Sequence, residues 1–165
     1  MIKVLILAYD FPPYVSVGGL RPFSWYKYFR EFGIDPVVIT RQWSNSYGNQ
    51  LDYIAPGTST SEITEESTFG KIIRSPYHPN LSNRILLNHG EQRWRLVRKA
   101  NSAFLEVAQF YLPLGPKIEL YHAAKRYLSS HKVDLIIATG DPFVLFHYAS
   151  KLSRAFKTPW LADYR

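Results

Sequence analysis

The amino-acid order points to an α/β fold: a Rossmann-like, open, twisted and mostly parallel sheet with helices on both faces. Five short segments are apolar nearly throughout instead of alternating with polar residues, as strands covered on both sides are. Stretches of helical length and periodicity separate them. The polar segments DFPPYVSVGGLR, TGDP and DYR follow strands, where turns at a sheet edge belong, the first two carrying Gly and Pro.

The first strand is IKVLILAY (Ile2–Tyr9). A helix from about Arg21 to Phe32 follows, with Pro22 suited to its first turn and Gly33 suited to end it. PVVIT (Pro36–Thr40) is a β-branched run of buried-strand type. Arg41–Phe69 then loses the rhythm and fills with Ser, Thr, Asn and Gly, most of all in TSTSEITEES (Thr58–Ser67). A loop of that length is uncommon in a compact domain, so the expectation is an insertion, a lid or a pair of short edge strands. GKIIRSPY (Gly70–Tyr77) restores a strand. Helices over Asn83–Tyr111 and Lys117–His131 flank the breaker PLGP (Pro113–Pro116). Strand Val133–Ala138 leads to Asp141 as N-cap and Pro142 as first residue of a helix Pro142–Phe156, and Pro159–Ala162 is the last strand. A helix normally follows such a strand to cover the sheet. Residues 1–165 therefore read as one domain, the N-terminal part of a longer protein.

Composition narrows the function classes. The chain has 165 residues, 46% hydrophobic and 20% charged, values of an ordinary globular domain. It has no cysteine, which excludes disulfides, thiolate metal sites and a thiol nucleophile. Met1–Tyr9 lacks the small-residue cleavage site of a signal peptide, and no apolar run reaches the ~20 residues of a spanning helix. The five histidines (His78, His89, His122, His131, His147) show no i, i+4 pairing, so no metal is expected. Neither a G-x-S-x-G elbow nor a G-K-[ST] loop is present.

The net charge is +7. In RILLNHGEQRWRLVRK (Arg84–Lys99), Arg84, Arg93, Arg95, Arg98 and Lys99 stand against Glu91 alone, a local +4. Apolar residues recurring from Trp94 at Val97, Phe104, Leu105 and Ala108 predict a core stripe, which makes the basic residues a solvated face. The alternatives are an anionic membrane surface, or nucleic acid met through the same basic cluster.

Ligands of open parallel sheets bind outside the carboxyl ends of the strands, where the three polar turns fall. Gly18 and Gly19 precede a helix whose N–H groups and dipole favour an anion, although a Gly-Gly pair there also serves as a plain flexible joint. Asp163 and Arg165 form a D-x-R pair that a structural salt bridge would equally explain.

The order of LAYDFPPYVSVGGLRPFSWYKYFREFGIDPVVIT, IIATGDPFVLFHYASKL and PWLADYR resembles the N-terminal half of family 4 retaining glycosyltransferases of GT-B architecture. The F-P-P…G-G…R-P run after the first strand carries most of the likeness, and the middle (Arg41–Pro116) carries little. The resemblance implies a domain that holds a glycan or lipid-linked acceptor. A second domain would bind the nucleotide-sugar, a co-substrate that needs no metal or other cofactor. It implies a donor-phosphate loop at Gly18 and Gly19, a catalytic role for Asp163 near the reacting sugar, and acceptor contacts from Tyr14, Arg21, Asp141 and Arg165. The final D-Y-R looks like a D-x-R-D segment one residue short, and the donor half lies outside these 165 residues, so this chain alone is expected to be inactive. The implied location is the cytoplasm, free or peripheral at the inner face of the membrane through residues 84–99. A basic module for anionic lipid or nucleic acid, and another GT-B-like enzyme such as a nucleotide-sugar epimerase, are the competing readings; the resemblance itself implies no nucleic-acid partner.

Overall fold

A computed structural model describes residues 1–44 and 50–164. Six strands form one sheet: β1 (Ile2–Leu7), β2 (Ile34–Arg41), β3 (Ile63–Ser67), β4 (Gly70–Ser75), β5 (Leu135–Thr139) and β6 (Trp160–Asp163), in the order β3-β4-β2-β1-β5-β6. All neighbours run parallel except the edge pair β3–β4. Five helices accompany them: α1 (Val17–Tyr28), α2 (Leu81–His89), α3 (Arg95–Ala108), α4 (Ile118–Ser130) and α5 (Val144–Phe156). The expected mostly parallel, Rossmann-like α/β architecture is the one present.

The apolar strands divide between two cores because successive side chains point to opposite faces. Leu5, Leu7 and Tyr9 meet Leu120 and Ala124 of α4 and Leu145 and Leu152 of α5. Val4, Ile6 and Ala8 meet Tyr26, Trp25 and Phe29 on the other face, where α1 lies. Covered on both sides from Val4 onward, β1 shows no alternation there.

Several boundaries differ from the sequence reading. The first helix starts at Val17, one turn before Arg21, because the Ser16 hydroxyl oxygen accepts the Gly19 N–H at 2.9 Å as N-cap. Gly18 and Gly19 are thus inside the helix, and Pro22 withholds the N–H that the Gly18 carbonyl would receive. A 3-10 turn, Phe29–Phe32, completes the stretch and Gly33 closes it at φ 73°. The long helix expected over 83–111 is two helices, α2 and α3, parted by Gly90 and by Trp94 in the left-handed region. Among the described residues of 41–69, beyond the end of β2, there are a 3-10 turn, Gln50–Tyr53, and one edge strand, β3. Asp141 is not the N-cap of α5: it takes φ 53°, Phe143 occupies the cap position without a side-chain bond, and the helix begins at Val144.

The core stripe expected on α3 is also overturned. Val97 and Phe104 are exposed, Leu105 is half-buried, and Ala108 alone is buried. The exposed apolar side is centred instead on Leu96, Ala103 and Val107, about a quarter turn round the helix from the expected stripe, with Phe104 common to both.

The last residue of β2, Arg41, has a relative exposure of 0%. Its guanidinium lies 3.4 Å from the ring centre of Tyr77 and 4.0 Å from that of Trp43. It donates to the carbonyls of Tyr53 (2.7 Å), Ala55 (2.8 Å) and Gln42 (2.9 Å) and to the Tyr9 hydroxyl (3.2 Å). These bonds fold residues 50–55 over the C-terminal end of the sheet. Arg41→Ala leaves buried acceptors without a donor and should cost about 3 kcal/mol in urea unfolding. Limited proteolysis should then cut first between 50 and 57, while the α4–α5 side stays protected.

Candidate functional site

Going out from β1, the chain turns through α1 to one side of the sheet, and β5 turns through α5 on the other face. The C-terminal ends of β1 and β5 therefore flank a topological switch point, where open α/β sheets form a crevice. The turns after β1, β5 and β6 all reach this rim. The Gly140 N–H donates to the Asp163 carbonyl at 2.7 Å, and the Arg21 guanidinium of α1 pairs with the Asp163 carboxylate. A methyl group on Gly140 would stand 3.1 Å from that carbonyl and 3.3 Å from Phe146, tight enough that β6 or the ring would have to give by a few tenths of an ångström.

The β1 exit is held in three places. Arg74 of β4, paired with Glu65 of β3, donates to the Pro12 carbonyl at 2.7 Å. The Ser16 hydroxyl donates to the Asp10 carboxylate at 2.7 Å. The Tyr14 ring stacks on Trp43 at 4.1 Å, with planes 10° apart, and meets the edge of Tyr53 at 5.5 Å. The Pro12–Pro13 and Asp141–Pro142 peptides are both cis.

Gly19 has a packing task. It is buried, with the Asp10 backbone 3.4 Å from where its Cβ would be, so it lets α1 pack flat on the strand exit. Its N–H is already taken by Ser16. Any anion at this helix start has the N–H groups of Val17 and Gly18 to use, beside a carboxylate, Asp10, that Ser16 holds nearby.

Beside the rim lies a cleft of about 210 Å³, lined among others by Tyr9, Tyr53, Tyr77, Asn83, Glu106 and Lys117. Lys117, just before α4, is half-buried, and loss of solvation pulls its pKa below the ordinary value against the opposing pull of Glu106 and Asp141. Burial, with Asp10 and Asp141 adding to it, pushes the Tyr53 hydroxyl well up, so this tyrosine is a neutral hydrogen-bonding group. Asp141 is exposed and acts electrostatically on both Tyr53 and Lys117, which joins the rim to the cleft.

Of the residues singled out in the sequence, Arg21, Asp163 and Asp141 share the rim, and Tyr14 packs against Tyr53, which lines the cleft. Gly18 and Gly19 sit one turn away in α1. Arg165 lies outside the described residues. Sequence reasoning missed Arg41, Trp43, Tyr53 and Lys117. A basic residue ending an apolar strand and followed by Trp was a usable signal for the first two; Lys117 carried none. Among the described residues no three His, Cys, Asp or Glu side chains gather closely enough to hold a metal ion. A roomier hollow, about 580 Å³, is at the opposite edge of the sheet, between the ends of α4 and α5. No family model and no curated protein matches the chain.

The lowered Lys117 pKa fixes a sign. The unfolded chain keeps this proton to higher pH than the native one, so stability rises as pH climbs towards the ordinary lysine value of 10.5. Below that range the native state carries the full desolvation cost. Lys117→Met should therefore raise the thermal midpoint at neutral pH, and its advantage should shrink as pH approaches 10.5, measured by calorimetry on both proteins.

Proposed function

We propose that this chain is the acceptor-holding N-terminal domain of a retaining GT-B glycosyltransferase, moving a sugar from a nucleotide-sugar to a glycan or lipid-linked acceptor. One observation carries the reading. Turns from three strands converge at the switch point, where Asp163 receives the Arg21 guanidinium on its carboxylate and the Gly140 N–H on its carbonyl. This is half of a crevice with a held carboxylate at its edge.

In such a transfer the acceptor hydroxyl oxygen bonds to the anomeric carbon as the bond to the leaving nucleoside diphosphate breaks, and the hydroxyl proton passes to an oxygen of that departing diphosphate. Positive charge grows on the sugar in between. A carboxylate already fixed by a neighbouring guanidinium and by its own backbone stabilises that charge without reorganising. Tyr53, Tyr77 and Asn83 offer a sugar-sized cleft both ring surface and hydrogen-bonding groups, and Tyr14 packs against Tyr53 beside it. Arg21 and Asp141 border the path from cleft to rim, and Gly18 lies where a diphosphate would approach α1.

The rim is ringed by exposed apolar groups: Val15, Val17, Leu20, Phe143 and Tyr164, the last two stacked at 5.5 Å. Such a patch fits a second α/β domain closing over the crevice and bringing the donor. The proposed activity belongs to that two-domain protein, in the cytoplasm, with no metal required.

The test uses the complete gene product and a panel of radiolabelled nucleotide-sugars. Transfer is expected from the complete protein and not from residues 1–165 alone. Asp163→Ala should lower kcat about a hundredfold, with little change in the KM for the donor. Absence of a second α/β domain in the reading frame, or wild-type turnover by Asp163→Ala, would sink the proposal.

A further inference from the structure

Helix α3 is packed inside out. Leu96, Ala100, Ala103, Phe104 and Val107 recur on one side of it at helical spacing, and that side faces solvent, with exposures of 83% at Leu96, 59% at Phe104 and 63% at Val107. Exposed Trp94 and Tyr111 extend the stripe at its two ends. The side turned towards α2 is polar. The Ser102 hydroxyl donates to the Ser82 hydroxyl at 3.0 Å, the Ser82 hydroxyl donates to the Arg98 carbonyl at 3.1 Å, and the Arg98 guanidinium donates to the Glu91 carbonyl at 2.6 Å.

Positive charge borders the stripe. Arg95 and Lys99 lie along one flank of it and Arg93 just before it, all exposed. Among the described residues none of the three forms an ion pair. A second copy seated on this face would bring like charges together. An anionic bilayer offers both parts of the complement, an apolar layer beneath a sheet of phosphates. Among the described residues no helix is long and apolar enough to cross a membrane, so contact through α3 is contact along the surface.

We infer that α3, with Trp94 and Tyr111 at its ends, lies in the interface of an anionic membrane. Leu96, Phe104 and Val107 enter the acyl boundary, and Arg93, Arg95 and Lys99 meet lipid phosphates. The contact moves from the basic run 84–99 to residues 93–111, and it holds whether or not the rim transfers sugars.

Vesicle flotation of the 165-residue chain tests it. Vesicles of one-third phosphatidylglycerol in phosphatidylcholine should bind the chain at least about tenfold better than phosphatidylcholine alone. Leu96→Ser with Phe104→Ser should weaken that binding about tenfold or more while leaving the thermal midpoint unchanged, since both side chains are exposed. Arg95→Glu with Lys99→Glu should weaken it similarly and flatten its salt dependence. If the serine variant does not fold, tryptophan quenching by bromine-substituted acyl chains decides, and Trp94→Phe should remove most of it. A folded chain that floats with neither vesicle overturns the inference, as does a folded serine variant that floats like wild type. So does a sedimenting dimer that the serine substitutions dissociate, because a second copy then covers the stripe.

Discussion

A single guanidinium, buried without a carboxylate partner among the described residues, sets the shape of the sheet's functional edge. Arg41 ends β2 with its charge out of water, a position tolerated only when every direction is filled by acceptors or aromatic faces. The carbonyls of Tyr53 and Ala55 come from a short 3-10 turn and the residues just after it, half-buried on the end of the sheet. Arg41 and the rings packed around it tie that turn to the domain. Tyr9, Trp43, Tyr53 and Tyr77 all lie within 6.5 Å of a neighbouring ring centre in this group. The tyrosine cleft exists because a cation needed those faces.

The β1 exit answers to the same group. Tyr14 stacks on Trp43 from the outside, so Arg41 fixes from beneath the loop that leads into α1. Farther along, Ser16 uses one hydroxyl twice, accepting from Gly19 and donating to Asp10. Prolines, stacked ring and cap together leave this loop few ways to move, and α1 starts at a defined angle. Arg21 then stands one turn into the helix, within reach of Asp163 at the far strand of the parallel set. The rim is assembled from the centre of the sheet outward.

What the amino-acid order disclosed follows from the range of the forces involved. The parallel strands were legible because burial on both faces leaves a continuous apolar run, and Gly33 was legible because a left-handed cap is a local demand. The start of α1 was misplaced because Pro22 and Ser16 are both acceptable start signals, and a hydrogen bond to Gly19 decides between them. Asp141 and Pro142 read as cap and first turn, yet the chain spends both residues on the bend that brings Gly140 under Asp163. The rim pair Arg21–Asp163 spans 142 positions and has no local signature. The buried state of Arg41 is likewise a property of rings contributed by four separate segments.

Helix α3 shows a different limit. Its periodicity is strong, and periodicity defines an axis without saying which end of it faces the protein. The tie is broken by serines and by Asn101, Leu105 and Gln109, whose side of the helix is occupied by α2 and the cleft. One helix about 10 Å across therefore has two tasks on opposite sides. Its inner side walls the cleft through Leu105, Glu106 and Gln109, and its outer side carries the apolar stripe. If that stripe rests on a bilayer, the cleft is held one helix diameter above the acyl boundary, at the level of the headgroups. A lipid-linked acceptor could then keep its tails in the membrane while its head enters the tyrosine wall, and the sugar-transfer reading gains a reason for the helix to be inside out.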